Sequence, residues 1–209
     1  MKANFKLIWD ALLNAYDAGW ELVLINLLWA VLSIPIITLP ATMAGLVYYT
    51  HELAHGESME WKDFFIGIKK YFWPSMRCLL ANLVVIFVLL FYYQYFGALN
   101  NSFTPIVMGL VYGFAFIWLL LSPFIFPLMI EQEKPALRTA LRNSLVMWLK
   151  WPGVSILAII LFYFLVIGSS YILIPWILLT ASLSAFLLSY VVMRKAEESV
   201  KLNQPEETH

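Results

Sequence analysis

The fold of this chain follows from residues 78–130, which read CLLANLVVIFVLLFYYQYFGALNNSFTPIVMGLVYGFAFIWLLLSPFIFPLMI. These 53 residues contain no Asp, Glu, Lys, Arg or His. The hydrocarbon core of a bilayer is about 30 Å thick, and a helix needs roughly 20 apolar residues to cross it. The block is therefore long enough to cross a membrane twice, with a turn predicted at residues 98–103.

Two further blocks, residues 22–50 and 151–193, lack these charged and histidine side chains as well. Hydrophobic residues make up 62% of the chain and charged residues 12%, whereas soluble domains have about half and a quarter. The sequence therefore predicts an all-α, polytopic membrane helix bundle with the lipid bilayer as its surroundings. The formal net charge is zero, which gives no indication of a nucleic-acid partner.

The basic residues predict the orientation of the bundle. All Lys and Arg residues lie in segments 1–21, 51–77, 131–150 and 194–209, whereas the predicted turns 98–103 and 168–173 have none. Lys and Arg in short loops stay on the cytoplasmic side. The charged segments, including the C-terminus, are therefore predicted to be cytoplasmic.

A repeated unit organises this single membrane domain: an amphipathic helix followed by a helical hairpin. Its parts are an interfacial segment at 1–18, a first hairpin at 20–55, a second unit at 61–130, a third unit at 135–194 and a polar tail at 195–209. Trp73-Pro74 in the second unit aligns with Trp151-Pro152 in the third. Proline is common at the first position of a helix, so a new helix is predicted to begin at each.

The first apolar block leaves the number of transmembrane helices open. Pro35 and Pro40 break it near its middle, which predicts one helix over 20–37 and a short one over 40–55. If both cross, the bundle has six transmembrane helices and both termini are inside. If the second does not cross, there are five and the N-terminus is outside; Lys2 and Lys6 favour six.

Small residues one helical turn apart predict close helix packing. Gly109 and Gly113 form one such pair, and Ala181 and Ala185 form another. Small side chains let helices in lipid approach closely. Packing inside the monomer is the preferred interpretation for both pairs, and a homo-oligomer is the alternative.

The residues His51-Glu52-Leu53-Ala54-His55 match the H-E-x-x-H pattern of zinc hydrolases. On a helix, the two histidines can bind one zinc while the glutamate activates a bound water. A catalytic zinc needs a third protein ligand. The only other histidine is His209, so the third ligand has to be an acid such as Glu57, Glu60 or Glu131.

The position of this motif favours a different interpretation. It stands at the exit of a predicted membrane helix, where histidine and glutamate commonly meet the lipid headgroups. No longer metalloprotease pattern follows it, because the chain continues Gly56-Glu57-Ser58. We therefore predict no metal, no cofactor and no catalytic residue, and keep a zinc protease using His51, Glu52 and His55 as a minor alternative.

Polar side chains within the apolar blocks define a second candidate site. Asn26 and Trp29 share one helix face, and Asn82 lies in the following hairpin. A buried asparagine in a membrane usually bonds to a neighbouring helix, so packing is the preferred interpretation and a solute path the alternative. The predicted spans hold no charged group of the kind that ion-coupled pumps need.

Several stretches resemble one known family. They are Asn26-Leu27-Leu28-Trp29, Ile37-Thr38-Leu39-Pro40-Ala41-Thr42-Met43-Ala44, Phe64-Phe65 and Phe72-Trp73. Together they resemble the YesL-like bacterial membrane proteins, a family of unknown function. Leu39 departs from the family, which often has Gly before the proline, and the His-Glu-Leu-Ala-His run is not a hallmark of it.

The resemblance implies a small multi-pass protein of the bacterial cytoplasmic membrane with a link to carbohydrate uptake. It provides no catalytic or binding residue to carry over. We therefore predict a non-enzymatic accessory or regulatory protein that contacts sugar-transporter or sensor subunits. A passive small-solute transporter or channel is the second hypothesis, and the zinc protease is the third.

Overall fold

The computed structural model describes residues 2–97, 104–171 and 176–203. Its α-helices are α1 (Lys2–Asp17), α2 (Gly19–Leu32), α3 (Leu39–Ala54), α4 (Asp63–Gly97), α5 (Thr104–Ile130), α6 (Leu137–Lys150), α7 (Pro152–Ser170) and α8 (Ala181–Asn203). A 3₁₀ turn at Ile36–Thr38 precedes α3, and a π-helical turn at Trp176–Thr180 precedes α8. These described residues contain no strand, so the predicted all-α class is confirmed.

Within the described residues, four helices are long and apolar enough to cross a bilayer: α4, α5, α7 and the last helix. Helices α1 and α2 meet at a bend of 77°, and the pair adds a fifth span if it counts as one broken crossing. The six-helix alternative needs α3 to cross, but its 16 residues reach only about 24 Å. The structure therefore favours four or five spans over six.

The predicted boundaries around the first block need one correction. The first helix was expected to run to residue 37, but α2 ends at Leu32 and Ser33 follows it as the C-cap. The physical reason is Pro35, because a proline disfavours helical geometry in the residue before it. The predicted turn at 98–103 lies outside the described residues, as do positions 172 and 173 of the second predicted turn.

Helix α8 lies at the centre of the bundle. Of its most apolar window, 67% is buried inside the protein, against 11% for α4. Val191 and Val192 of α8 pack with Phe124 and Met129 of α5 and with Val154 of α7 in the largest hydrophobic cluster. Much of the α4 surface consequently faces the surroundings of the molecule.

Helices α3 and α4 approach each other closely through two glycines. A Cβ atom added at Gly45 would lie 2.7 Å from the backbone oxygen of Phe64, and one added at Gly67 would lie 2.7 Å from Cβ of Tyr48. A side chain larger than hydrogen at either position would force the two helices or the facing groups to shift. The two glycines therefore set the distance between the helices.

The prediction that a new helix begins at each Trp-Pro step is confirmed at one step and wrong at the other. Pro152 is the first residue of α7, but Pro74 lies inside α4. The first turns of α4 are held against α3 through Gly67, so the chain continues as one helix across Pro74. Membrane helices tolerate an internal proline because surrounding groups can satisfy the freed carbonyl.

The prediction that Gly109 and Gly113 pack inside the monomer is wrong. Among the described residues, a Cβ atom added at either position would meet nothing within 4 Å, so no described residue packs against this face of α5. Ala185 of the second small pair is buried beside Ala44 of α3, as predicted. The difference follows from position, because α8 is central and the outer part of α5 is not.

The predicted amphipathic helices form, and most of the buried residues on α1 and α6 are small. In α1, Ala11 and Ala15 are buried whereas Trp9 and Tyr16 are exposed. In α6, the buried residues are Ala140, Ser144 and Met147. Lipid is as apolar as a protein core, so a large apolar side chain can face either one, and a small one permits close helix contact.

Candidate metal centre

His51 lies in the last turn of α3 and His55 is the C-cap of that helix, on the same side. Residues four apart on an α-helix lie one above the other, and their ring centroids are 4.9 Å apart. Gly56 ends the helix directly afterwards with φ at 85°, a left-handed conformation that favours glycine. The motif is thus helical, as the H-E-x-x-H pattern requires.

Glu131 approaches the histidines from the end of α5. It is the first residue after that helix, and two side chains hold the chain in place there. Tyr71 of α4 donates its hydroxyl to the Ile130 carbonyl at 3.5 Å. Gln132 donates to the Leu128 carbonyl at 2.7 Å and accepts the Ala136 N–H at 3.1 Å.

Both imidazoles contact the same carboxylate oxygen. Nε2 of His51 lies 2.9 Å from Oε2 of Glu131, and Nε2 of His55 lies 3.5 Å from it. The ligand atoms that the three residues offer all lie within 4.8 Å of one another. His51 is almost fully buried, with 4% of its side chain exposed, whereas His55 is 33% and Glu131 26% exposed. The site is thus closed on the α3 side and open to a small ion.

The donor set and its spacing fit zinc. Two imidazole nitrogens and one carboxylate oxygen form the His₂Glu set of known catalytic zinc sites, and the fourth position is left to water or another ligand. Tetrahedral ligands about 2.0–2.1 Å from zinc lie about 3.3–3.4 Å from one another. The His55 contact of 3.5 Å already matches, and the His51 contact of 2.9 Å needs to open by about half an ångström.

The electrostatic surroundings also favour a cation. The C-terminal ends of α3 and α5 meet at the cluster, and each helix C-terminus carries a partial negative charge of about half an electron. Contact with the His51 imidazole lowers the pKa of the Glu131 carboxyl against the opposing effect of burial, so it stays ionised. Among the described residues, the enclosed Oε2 atom has no well-aligned hydrogen-bond donor. A bound metal would supply its partner.

The surroundings of His51 depart from the usual pattern in one respect. A metal-bound histidine commonly donates its second ring N–H to an acceptor, which fixes the ring. Nδ1 of His51 is buried and has no hydrogen-bond partner among the described residues. The ring is instead held by burial in the last turn of α3.

Glu52, the predicted water-activating residue, lies outside the cluster. The group of potential ligands in the described residues comprises His51, His55 and Glu131 only. Burial and, after it, the charge of Glu52 raise the pKa of Tyr48, which lies one turn earlier on α3. Its charge also acts on Lys70 of α4.

The other proposed third ligands are accounted for. Glu60 lies 3.7 Å from Lys62, and Glu57 is exposed beyond the end of α3. His209 lies outside the described residues. Of the three acids that the sequence left open, the structure brings only Glu131 to the histidines.

Asn26 and Trp29 lie on the inner face of α2. Asn26 is fully buried, and its Oδ1 accepts the backbone N–H of Ser182 at 2.8 Å, where α8 follows the π-helical turn. Nε1 of Trp29 is buried and has no hydrogen-bond partner among the described residues. Asn26 thus satisfies a backbone donor at the start of α8, which is the packing role.

Asn82 belongs to a different pair of helices. Its Oδ1 accepts the indole N–H of Trp118 on α5 at 3.0 Å, and its side-chain amide donates to the Cys78 carbonyl at 2.9 Å. A small cavity of about 70 Å³ lies beside it. The structure therefore places Asn26 between α2 and α8 and Asn82 between α4 and α5.

Part of the chain is similar to a family of known sequences. A family model described as "Protein of unknown function, DUF624" matches residues 22–93, about a third of the chain. The matched region contains α3 with both histidines but not Glu131. No curated protein and no solved structure matches the chain.

Proposed function

We propose that this chain is a non-enzymatic accessory or regulatory protein of the bacterial cytoplasmic membrane that binds zinc through His51, His55 and Glu131. One observation carries the proposal: both imidazole nitrogens lie within 3.5 Å of a single Glu131 oxygen. The ligands come from α3 and from the chain after α5, so the metal would join two helix ends. By the distribution of Lys and Arg, this end of the bundle faces the cytoplasm.

The accessory part of the proposal is supported by the surface of α4 and α5. Only 11% of the apolar window of α4 is buried in the monomer, and Gly109 and Gly113 of α5 present an open face. Such a face suits a transmembrane helix of another protein. The resemblance to the YesL-like proteins further suggests that the partner is a sugar-transporter or sensor subunit.

Zinc content tests the proposal directly. The protein is purified in mild detergent, loaded with zinc, passed through a desalting column and measured by elemental analysis. We expect about one zinc per chain, the stoichiometry of a three-ligand site. His51→Ala and Glu131→Gln should each weaken binding by more than the roughly 10–100-fold that loss of an outer-shell partner produces.

Glu57→Gln is the matched control, because it removes an exposed acid of the same type that lies close to His55 in sequence. A competition titration with a chromophoric chelator gives the affinities, and gel filtration checks that each variant is folded. Equal zinc binding by Glu131→Gln and Glu57→Gln would refute the assignment of Glu131.

A zinc hydrolase is the second candidate, favoured by the His₂Glu ligand set. It needs Glu52 as the base that activates the bound water. Zinc-dependent cleavage of a peptide library that Glu52→Gln abolishes, with its zinc content unchanged, would establish the hydrolase and refute the non-enzymatic role.

A further inference from the structure

A cavity of about 220 Å³ adjoins the candidate metal centre. It lies between the end of α5, helix α6 and the last turns of α8, and Glu131 forms part of its wall. The Oε2 atom of Glu131 is enclosed against the histidines, whereas 26% of the side chain remains exposed. One carboxylate thus belongs to both the metal centre and the cavity.

Two polar side chains in the wall of the cavity have no hydrogen-bond partner among the described residues. The side chains of Asn143 and Ser199 line it and make no hydrogen bond within the described residues. Gln132 also lines it, but both ends of its amide are already bonded. An amide and a hydroxyl are therefore free to bind a ligand.

A lysine provides a third donor. Nζ of Lys195 lies 2.5 Å from Oε2 of Glu198 and over the ring of Trp151, 5.3 Å from its centroid. Glu198 is half exposed, whereas only 13% of the Lys195 side chain is exposed, and this ion pair leaves other N–H groups of the ammonium unused. These remaining N–H groups can donate to a ligand in the cavity while the ion pair stays in place.

The charge of the cavity depends on the metal. Without one, the Glu131 carboxylate is negative and repels anions. With Zn²⁺ on His51, His55 and Glu131, the centre has a net charge of +1, and the Lys195–Glu198 pair remains neutral. A filled metal centre therefore turns this region into a site for an anion.

The size and lining of the cavity indicate the kind of anion. At about 30 Å³ per water, its volume equals roughly seven waters, enough for a phosphate group and a short carbon chain. Leu128, Met147 and Val192 provide an apolar side for the chain. Phosphate is abundant at this depth, because the cavity lies at the predicted headgroup level.

We infer that this cavity binds an anionic phosphate group through Asn143, Lys195 and Ser199 when the metal centre holds zinc. The inference rests on the proposed function, since zinc supplies the positive charge. The phosphate can come from a lipid headgroup or from a soluble phosphate ester, and the two sources share the same chemistry.

The test uses the full chain in detergent, zinc-loaded and zinc-free, with zinc content measured on each sample. Glycerol phosphate is the soluble probe, followed by titration calorimetry, and phosphatidylglycerol is the lipid probe, followed by native mass spectrometry against phosphatidylcholine. We expect the zinc-loaded protein to bind at least one of the two anionic probes about tenfold more tightly than the zinc-free protein. Binding of the lipid alone identifies a headgroup site, and binding of glycerol phosphate identifies a soluble ligand.

Variants separate the cavity from general charge effects. Lys195→Met and Asn143→Leu should each weaken probe binding about tenfold, whereas Lys201→Met, which removes an exposed lysine outside the cavity, should not. Zinc content should be unchanged in all three. Equal binding by Lys195→Met and Lys201→Met would overturn the inference.

The failures of the two proposals are distinguishable. Bound zinc with no binding of either probe overturns the phosphate site and leaves the metal centre intact. Absence of bound zinc overturns the proposed function. Phosphate binding that is equally tight in the zinc-free protein overturns the dependence on the metal.

Discussion

The close contact between α3 and α4 at Gly45 gives a sharp prediction about stability. In Gly45→Ala, the new Cβ atom would stand 2.7 Å from the Phe64 backbone oxygen and 2.9 Å from Cγ1 of Ile68. Ordinary contact begins at 3.4 Å, so α3 and α4 must separate by about 0.7 Å. Forcing an additional methyl group into a packed interior costs about 1–3 kcal/mol.

Gly109→Ala is the matched control. It makes the same chemical change in another membrane helix, but its Cβ atom meets nothing within 4 Å. Alanine is preferred over glycine in helices by about 1 kcal/mol, so this variant should be stabilised or unchanged. The gain in helix propensity is common to both variants, so they should differ by the packing cost of about 1–3 kcal/mol in the free energy of unfolding.

Unfolding by increasing SDS in mixed micelles measures the difference, with the fluorescence of the nine tryptophans as a readout of tertiary contacts. Gly67→Ala, which meets Cβ of Tyr48 at 2.7 Å, should behave like Gly45→Ala. If Gly45→Ala and Gly109→Ala unfold at the same SDS fraction, α3 and α4 do not pack as described.

Two further predictions concern the metal centre and the buried asparagines. Zinc at 100 times its dissociation constant should stabilise the protein by about 2.7 kcal/mol, seen as a rise in melting temperature. Glu131→Gln should abolish that rise, whereas Glu57→Gln should keep it, and a rise that survives in Glu131→Gln would contradict the ligand assignment. Zinc should also be lost on acidification, because protons compete for its ligands. Asn26→Leu should destabilise the protein by about 1–3 kcal/mol in SDS unfolding, because it leaves a buried N–H at the start of α8 without its acceptor. Asn82→Leu breaks a part-buried hydrogen bond to the Trp118 indole and should lower the stability by less, about 0.6 kcal/mol. A larger loss of stability in Asn82→Leu than in Asn26→Leu would refute the packing roles.

Hydrophobicity and charge placement made the fold class predictable. Blocks without charge have to be helical in lipid, because only a helix satisfies every backbone group within one segment. The positions of α5, α6 and α7 also followed from these blocks and from Pro152. The helix start predicted at Pro74 was wrong, because the packing of α4 on α3 decided whether the proline begins a helix or lies inside one.

The inward faces of the helices could not be predicted in the same way. In α1, the large aromatic side chains of Trp9 and Tyr16 face outward, whereas Ile8, Ala11 and Ala15 are buried. The sequence also did not show which small residues lie at a helix contact. Gly45 and Gly67 make the close contact, whereas Gly109 and Gly113 do not. In lipid, apolarity does not separate inside from outside, so only the packing of the whole bundle decides.

The candidate site, like the fold, was predictable from the sequence only in part. The sequence by itself determined that His51 and His55 share one face of a helix, because their spacing matches the helical repeat. It also limited the third ligand to a few acids. Only the tertiary structure selected Glu131, which is 76 residues beyond His55 and reaches it because the ends of α3 and α5 meet. The cavity beside Glu131 likewise exists only where α5, α6 and α8 converge, since contacts between distant segments depend on helix packing and leave no local pattern in the sequence.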